Sequence, residues 1–203
     1  MRGGQFVPRI GFLLCITFLL GAHGCATYSG APRSYDHFFT GLRVAVPDGW
    51  LRYNPENPAL VITKDGLQLE AIRVSMTRAG KRLEGTERRY QRGMLPHEVA
   101  DLSLALIKAR EDTNDFQIES MDFATIAGHE GFHAKASYLD ETGLKKRLWL
   151  FGSMIDGYAC QLHFVAAEPI YFDKYLPVFQ QLVGNQHPKT PRYRSHCTLP
   201  NQF

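Results

Sequence analysis

The chain has 203 residues, 44% of them hydrophobic, and a net charge of +3 from 23 Lys and Arg against 20 Asp and Glu. This length and apolar fraction suit the buried core of one domain. The nearly balanced charge gives no strong field over the whole protein, so nucleic acid and other acidic polymers are not expected as partners.

The N-terminus has the pattern of an export signal. Residues 10–21 are an unbroken apolar run after Arg2 and Arg9, too short to cross a bilayer core of about 30 Å but long enough for a signal peptide. The run ends at small residues before Cys25, which resembles the lipobox of bacterial lipoproteins, where the cysteine after the cut is lipidated. We predict a lipoprotein signal peptide over residues 1–24 and acyl chains such as palmitate on Cys25. An ordinary cleaved signal and an uncleaved anchor are the alternatives.

The residues after Cys25 suggest how the protein is placed at the membrane. Residues 25–37 are small and polar, with Gly and Pro, and predict a lipidated cysteine followed by a flexible tether. Ala26 stands where an Asp would suggest inner-membrane retention in enterobacterial sorting. In a Gram-negative source, the expected location is therefore the periplasmic face of the outer membrane, with the membrane bound through the lipid on Cys25.

Two further cysteines raise the question of a disulfide. Cys160 lies on the second hairpin strand and shares a predicted core face with Tyr158, Leu162 and Phe164. Cys197 lies in a polar tail, residues 185–203, predicted to be disordered. Export would allow a disulfide between Cys160 and Cys197, whereas burial of Cys160 argues against it. Both outcomes stay open at this point.

The first half of the chain predicts a short meander and a helix. Residues 42–46 alternate as a strand that ends in a turn at residues 47–50, and residues 59–63 and 67–76 predict two more strands joined by a tight turn. Residues 95–110 carry apolar side chains at helical spacing, with Pro96 in the first turn, and predict an amphipathic helix.

Residues 77–93, between these strands and the helix, are strongly basic. One interpretation is a patch for anionic lipid headgroups or for the acidic surface of a protein partner. The other is a solvated loop or frayed helix without a specific role. Two carboxylates, Glu84 and Glu87, accompany the six cations of the candidate surface, which are Arg78, Lys81, Arg82, Arg88, Arg89 and Arg92.

The second half of the chain predicts a hairpin at the centre of the sheet. After strands at residues 116–127 and 132–139, residues 145–167 form two apolar runs separated by Asp156 and Gly157, a pair suited to a two-residue turn. Residues 148–151 are apolar at every position, which indicates that both faces of this strand are covered. Residues 169–183 predict a second helix, which Pro177 either interrupts or begins. We therefore expect helices on both faces of the sheet.

One sequence motif suggests metal chemistry. His129, Glu130 and His133 match H-E-x-x-H, in which two histidines one helical turn apart bind Zn²⁺ and the glutamate acts as general base. Gly128 and Gly131 disfavour a helix here, and the flanking residues alternate as strands do. We therefore predict no metal site and keep a zinc hydrolase as a distant alternative.

The other candidates for catalysis are weaker. Cys160 and His163 could suggest a thiol and its base, but an odd spacing on a strand places them on opposite faces. The chain has no G-x-S-x-G motif, no Walker loop and no dinucleotide-binding glycine pattern. We therefore expect a protein that is not an enzyme and that uses no cofactor.

Several turn and core segments together resemble a known family. They are V-P-D-G-W at residues 46–50, D-G-L-Q-L at 65–69, I-A-G-H-E-G at 126–131, D-G-Y at 156–158 and F-D-K-Y-L-P-V-F-Q-Q-L at 172–182. This layout resembles the PsbP/Mog1-like fold over residues 38–184. The resemblance implies an α+β fold in which an antiparallel β-sheet has helices on both faces, an α/β/α sandwich, and a turn near Gly128.

The resemblance also implies a class of function. Members of this family act as assembly or accessory factors, or bind a small GTPase. Our first hypothesis is a non-catalytic, membrane-anchored lipoprotein that binds or stabilises an envelope protein complex. The alternative is a periplasmic carrier or sensor of a small or lipidic ligand held between sheet and helix.

Overall fold

The structure is a computed structural model that describes residues 27–37, 40, 42–56, 59–184 and 187–188. Strands and two helices account for most of this part of the chain. In chain order, the elements are β1 (Tyr28–Gly30), β2 (Ser34–Asp36), β3 (Leu42–Ala45), β4 (Leu51–Tyr53), a single 3₁₀ turn (Asn54–Glu56), β5 (Leu60–Thr63), β6 (Glu70–Arg78), α1 (Pro96–Lys108), β7 (Asn114–Ile126), β8 (His129–Leu139), β9 (Lys145–Ile155), β10 (Tyr158–Ala167), α2 (Ile170–Gly184) and β11 (His187–Pro188).

Eight of the strands form one antiparallel sheet in the order β1-β4-β5-β6-β10-β9-β8-β7. The hairpin of β9 and β10 lies inside it, between β6 and β8, as the apolar runs predicted. Asp156 and Gly157 form its turn with positive φ angles of 49° and 77°, the conformation that a two-residue hairpin turn requires. A second, three-stranded sheet has the order β11-β3-β2. The predicted α+β class, with a large antiparallel sheet and two helices, is confirmed.

The apolar side chains form two clusters, each built around one helix. We call them the α1 cluster, which contains Val99, Leu148 and Leu150, and the α2 cluster, which contains Phe151 and Phe164. Consecutive residues of β9 thus belong to different clusters. The rings of Phe172 and Phe179 from α2 stack on Phe164 with centroids 5.1 and 5.3 Å away.

Both helices have the extent that the sequence predicts, and α1 begins as expected. Pro96 occupies its first turn, and Glu98 Oε2 accepts a hydrogen bond from the backbone N–H of Leu95 at 2.7 Å, which satisfies one of the free donors at the helix start. The expectation that Pro177 interrupts or begins α2 is wrong, because the helix is continuous from residue 170 to 184. Pro177 lies on the exposed side, so the carbonyl that loses its helical partner can bond to water.

The stretch predicted as a flexible tether contains two strands. Residues 28–30 pair with β4, and residues 34–36 pair with β3. The backbone N–H of Ala31 also donates to the Trp50 carbonyl at 3.1 Å, and that of Val46 donates to the Arg33 carbonyl at 2.9 Å. Pairing with the sheet thus orders a segment whose polar side chains gave no strand pattern. The predicted disordered tail likewise includes the strand β11, which pairs with β3.

Several predictions concern residues that the structure does not describe. The signal peptide, Cys25 and Cys197 all lie outside the described residues, so lipidation and the disulfide stay predictions. Cys160 is described; it is a buried free thiol in the α2 cluster.

Candidate functional site

The six predicted cations lie on an ordered hairpin, which we call the basic hairpin, residues 78–92. Arg82 and Arg89 form an antiparallel bridge, and the backbone N–H of Leu83 donates to the Arg88 carbonyl at 3.0 Å. Closer to the sheet, the N–H of Gly80 donates to the Tyr90 carbonyl at 2.8 Å. The segment therefore contains no helix and is a loop closed by one bridge and by backbone hydrogen bonds. The side chains of Arg78, Lys81, Arg82, Arg88, Arg89 and Arg92 are all exposed.

Tyr90 anchors the basic hairpin to the domain. Its side chain is only 2% exposed and packs in the α1 cluster. Its hydroxyl lies 3.0 Å from Ser103 Oγ on α1 and accepts a hydrogen bond from Gln161 Nε2 on β10 at 2.7 Å. Burial raises the pKa of Tyr90, so the phenol stays protonated at neutral pH. Because these partners come from a helix and from the sheet, they fix the hairpin relative to both.

Most of the charge on the basic hairpin is available to a partner. Arg82 pairs with Glu87 and also donates to the Thr86 carbonyl at 3.1 Å. Arg82 is the only one of the six cations with a carboxylate partner among the described residues. Arg92 extends over the β9–β10 turn, where its Nε would lie 3.2 Å from a Cβ added at Gly157. The arrangement can hold an acidic surface through several guanidinium groups at once.

The H-E-x-x-H residues do not have the geometry of a zinc site. Ala127 and Gly128 form a turn with φ angles of 49° and 83°, and β8 begins immediately after it at His129. In a strand, His129 and His133 share a side of the sheet but are separated by about 13 Å, too far to bind one metal ion. His133 instead packs against Phe151, with ring centroids 5.4 Å apart. The resemblance correctly implied a turn at Gly128, and the two histidines do not converge.

Gly131, inside this motif, has a structural role. A Cβ added there would overlap the Gly152 carbonyl oxygen of β9 and would lie 3.0 Å from the Ile126 side chain. Its absence lets β8 and β9 approach where Phe132 enters the α1 cluster. The glycine thus serves strand packing and not a metal site.

We expect the Gly131→Ala variant to lower the free energy of unfolding by about 2 kcal/mol, because the added methyl meets backbone that cannot move away. Urea denaturation followed by circular dichroism measures this change. Gly30→Ala is the matched control, since no atom lies within 4 Å of its added Cβ. Equal stability of the two variants would contradict the close approach of β8 and β9 at Gly131.

Cys160 and His163 do not form a catalytic pair. The thiol lies in the α2 cluster, whereas His163 Nε2 lies 3.0 Å from Gln161 Oε1 beside the anchor of the basic hairpin. Burial raises the pKa of the Cys160 thiol to about 12, and burial with the nearby Arg73 lowers the pKa of His163 to about 3. Both shifts oppose the formation of a thiolate and the uptake of its proton.

A polar cavity of about 230 Å³ lies beneath the C-terminal end of α1. Lys146 on its wall is only 5% exposed; its Nζ donates to the Gln68 carbonyl and lies 3.6 Å from Asp140 Oδ2. Burial lowers the pKa of Lys146. The other polar residues that line the cavity are Arg73, Arg110, Asp112, Thr113, Tyr138 and His163.

Sequence reasoning identified the basic segment but missed what holds it in place. Tyr90 stands among charged residues, and Ser103 and Gln161 are distant from it in the chain. A tyrosine inside a polar run was the one available signal, because a buried tyrosine needs a hydrogen-bond partner elsewhere. The partners themselves follow only from the fold.

Comparison with known proteins gives a structural likeness. No family model matches the chain, and no curated protein matches it either. Among solved structures, cyanobacterial PsbP (CyanoP) from Synechocystis is similar, with a TM-score of 0.55, 13% identity, and coverage of 83% of this chain and 96% of that chain. At this identity the likeness concerns the fold alone.

Two other solved structures are similar at lower TM-scores. LpqN of Mycobacterium tuberculosis, which is involved in cell envelope biogenesis, has a TM-score of 0.48 and 16% identity over 79% of this chain and 90% of that chain. The Ran-binding protein Mog1p of Saccharomyces cerevisiae has a TM-score of 0.45 and 11% identity over 79% of this chain and 96% of that chain.

Within the described residues, neither helix is long and apolar enough to cross a membrane.

Proposed function

Because the chain has the PsbP/Mog1-like fold, we propose that it is a non-catalytic accessory factor that binds an envelope protein complex through the basic hairpin. The observation that carries the proposal is the anchoring of six exposed cations by the buried Tyr90. A charged loop that is merely solvated needs no such anchor. An ordered hairpin presents its guanidinium groups at a lower entropy cost of binding.

The proposal includes how the protein is held at the membrane. A lipidated Cys25 would place the domain on the periplasmic face of the outer membrane. The first strand, β1, begins at Tyr28, so only two residues separate it from that cysteine. The domain would then lie close to the bilayer, where the basic hairpin could also meet anionic lipid headgroups.

We infer further that α1 and α2 cover opposite faces of the sheet. Leu148 and Leu150 belong to the α1 cluster, whereas Trp149 and Phe151 pack with α2. Consecutive strand residues point to opposite faces. With both faces of the central hairpin covered, the surface available to a partner consists of loops and strand edges.

Crosslinking in cells tests the proposed function. We expect the full chain to crosslink to one near-stoichiometric protein partner, and the Arg88→Glu/Arg89→Glu variant to lose at least about nine-tenths of that product, since like charges repel across an interface. The matched control is Lys64→Glu/Lys108→Glu, which makes the same change in charge at two exposed lysines outside the basic hairpin. The crosslinked product is identified by mass spectrometry, and the intact mass reports acylation of Cys25.

Three results would count against the proposal. Equal loss of the product in the control would indicate a general charge effect and not a specific surface. Retention of the product in the Arg88→Glu/Arg89→Glu variant would place the partner elsewhere on the domain. No product in any sample would contradict an accessory factor of this kind.

A carrier or sensor of a small ligand is the second candidate, and the polar cavity beneath α1 favours it. Its volume of about 230 Å³ is below the usual range for ligand pockets, so it suits a small polar molecule better than a lipid. A small molecule bound to the purified chain in native mass spectrometry, with no crosslinked partner, would favour this function over the first.

A further inference from the structure

The outer edge of β7 is open along half of its length. β7 is the last strand of the eight-stranded sheet, and among the described residues no strand pairs with its other edge. Its first half carries two irregularities in register, and Asp115 there has a positive φ of 47°. Residues 120–126 instead pair regularly with β8. The first half is therefore distorted, while the second keeps the geometry of a strand that can accept a neighbour.

Proteins usually protect such an edge from pairing with other chains. Bulges, lysine, proline and short strands are the common devices. The bulges near residues 115 and 119 protect the first half of β7 in this way. Residues 120–126 read S-M-D-F-A-T-I and contain no bulge, lysine or proline; Asp122 is their one charged residue. The contrast within one strand indicates that its second half is kept available.

An exposed apolar row runs along this open edge. Phe123 is 77% exposed and Met121 is 42% exposed. They pair with Phe132 and Ala134 of the α1 cluster, so they lie on the same side of the sheet as α1. Leu95, 54% exposed, lies just before that helix. A cleft of about 660 Å³ separates the two elements, lined by Leu95, Pro96, His97, Phe123, Thr125 and Glu130.

The charge beside the cleft is acidic. Asp122 is exposed on the opposite side of β7 from Phe123, and Glu130 lies at the cleft itself. Neither β7 nor the lining of the cleft contains a lysine or arginine. A neighbouring strand would therefore place apolar side chains in the cleft and basic side chains opposite Asp122.

We propose that residues 120–126 of β7 bind an extended segment of a partner protein, in which apolar residues alternate with lysine or arginine, as an added antiparallel strand. Main-chain hydrogen bonds to β7 supply affinity, and the cleft selects the apolar side chains. A second copy of this chain is a poorer occupant, because its β7 would bring Asp115, Glu119 and Asp122 against another strand without a basic residue. This surface shares no residue with the basic hairpin, and the proposal goes beyond the function proposed above.

Binding of designed peptides tests this surface. The probe is a fluorescein-labelled peptide of 11 residues with alternating valine and lysine, titrated into the full chain in detergent and followed by fluorescence anisotropy. We expect saturable binding that weakens at least about tenfold when the central valine of the peptide is proline, which cannot donate to the ladder. Hydrogen exchange should slow at amides of residues 120–126 and not at those of β1, the opposite edge.

Two variants of the chain locate the site. Phe123→Ser should weaken binding of the lysine peptide at least about tenfold without a large change in stability, because Phe123 is mostly exposed. Asp122→Lys should reverse the preference, so that a matched peptide with glutamate in place of lysine binds more tightly than the lysine peptide. Such a reversal is not expected from a general loss of folding.

Several outcomes would overturn the proposal. They are no binding at about millimolar peptide, binding unaffected by Phe123→Ser, and binding without protection of residues 120–126. Sedimentation that shows a dimer, lost in Phe123→Ser, would assign the edge to a second copy instead. The Arg88→Glu/Arg89→Glu variant should bind the peptide normally, so failure of the function proposed above leaves this test unaffected.

Discussion

The Phe164→Ala variant is expected to have a free energy of unfolding about 4 kcal/mol below that of the unsubstituted chain. Phe164 has no exposed surface, and its ring stacks between Phe172 and Phe179 of α2. Its removal leaves a cavity between β10 and the helix that neither ring can fill, because the strand backbone is fixed on both sides by β6 and β9. The loss is therefore both of buried apolar area and of two ring contacts.

Urea denaturation followed by circular dichroism measures this effect. Phe123→Ala is the matched control, since the same side chain is 77% exposed at that position, and we expect it to change the free energy of unfolding by less than about 0.5 kcal/mol. A loss below about 1.5 kcal/mol for Phe164→Ala would mean that α2 does not pack on β10 as described.

The central hairpin could be predicted because its signals are local. Asp156 and Gly157 have the positive φ angles that their residue types favour. The apolar runs on either side have no polar face, and their strands lie inside the sheet. Turn chemistry and hydrophobic pattern therefore indicate the same structure, which is why this part of the fold follows from the sequence.

The elements that were missed depend on contacts between distant residues. β1 pairs with β4, and β2 pairs with β3, although the residues of β1 and β2 are polar, small or exposed. Nothing in a window of ten residues distinguishes such a segment from a loop. Each is ordered by backbone hydrogen bonds to a strand that must already be in place.

The candidate site also has one part that follows from the local sequence and one part that depends on contacts between distant residues. The charge of the basic hairpin follows from composition, whereas its order follows from Tyr90, Ser103 and Gln161, which only the fold brings together. The H-E-x-x-H motif shows that a local pattern can also suggest a site that the fold does not form. The spacing of His129 and His133 suits a helix, but Gly131 and the alternation of the flanking residues place it in a strand.

His163 makes the stability of the fold sensitive to acid. Its pKa is about 3 in the folded protein because the ring, half-buried on the wall of the cavity, is withdrawn from water and lies near Arg73 and Arg110, against about 6.5 in an unfolded chain. Its Nε2 faces Gln161 Oε1, an acceptor, so the neutral ring carries its proton on that nitrogen. The other charged groups on the same cavity are Lys146, Asp112 and Asp140.

The folded pKa of His163 lies below the unfolded value, so between about pH 6.5 and pH 3 the unfolded chain binds more protons at this ring. The contribution of the neutral His163 ring to stability is therefore complete above about pH 6.5 and is lost as the pH is lowered through this window. We expect the unfolding free energy to drop about 3 kcal/mol more in the unsubstituted chain than in His163→Asn between pH 7 and pH 4. Asparagine keeps a donor for Gln161 but does not titrate.

Denaturation in urea at a series of pH values measures the difference between the two proteins. Asp65, Asp112 and Asp140 have lowered pKa values from hydrogen bonds that outweigh any burial, so both proteins lose stability in acid from these carboxylates. That shared loss cancels in the comparison. If the unfolding free energies of the two proteins fall in parallel as the pH is lowered, His163 gains its proton in the folded state over the same pH range as in the unfolded chain. Arg73 and Arg110 would then be too far from the ring, or too well screened, to oppose a second cationic group in the cavity beneath α1.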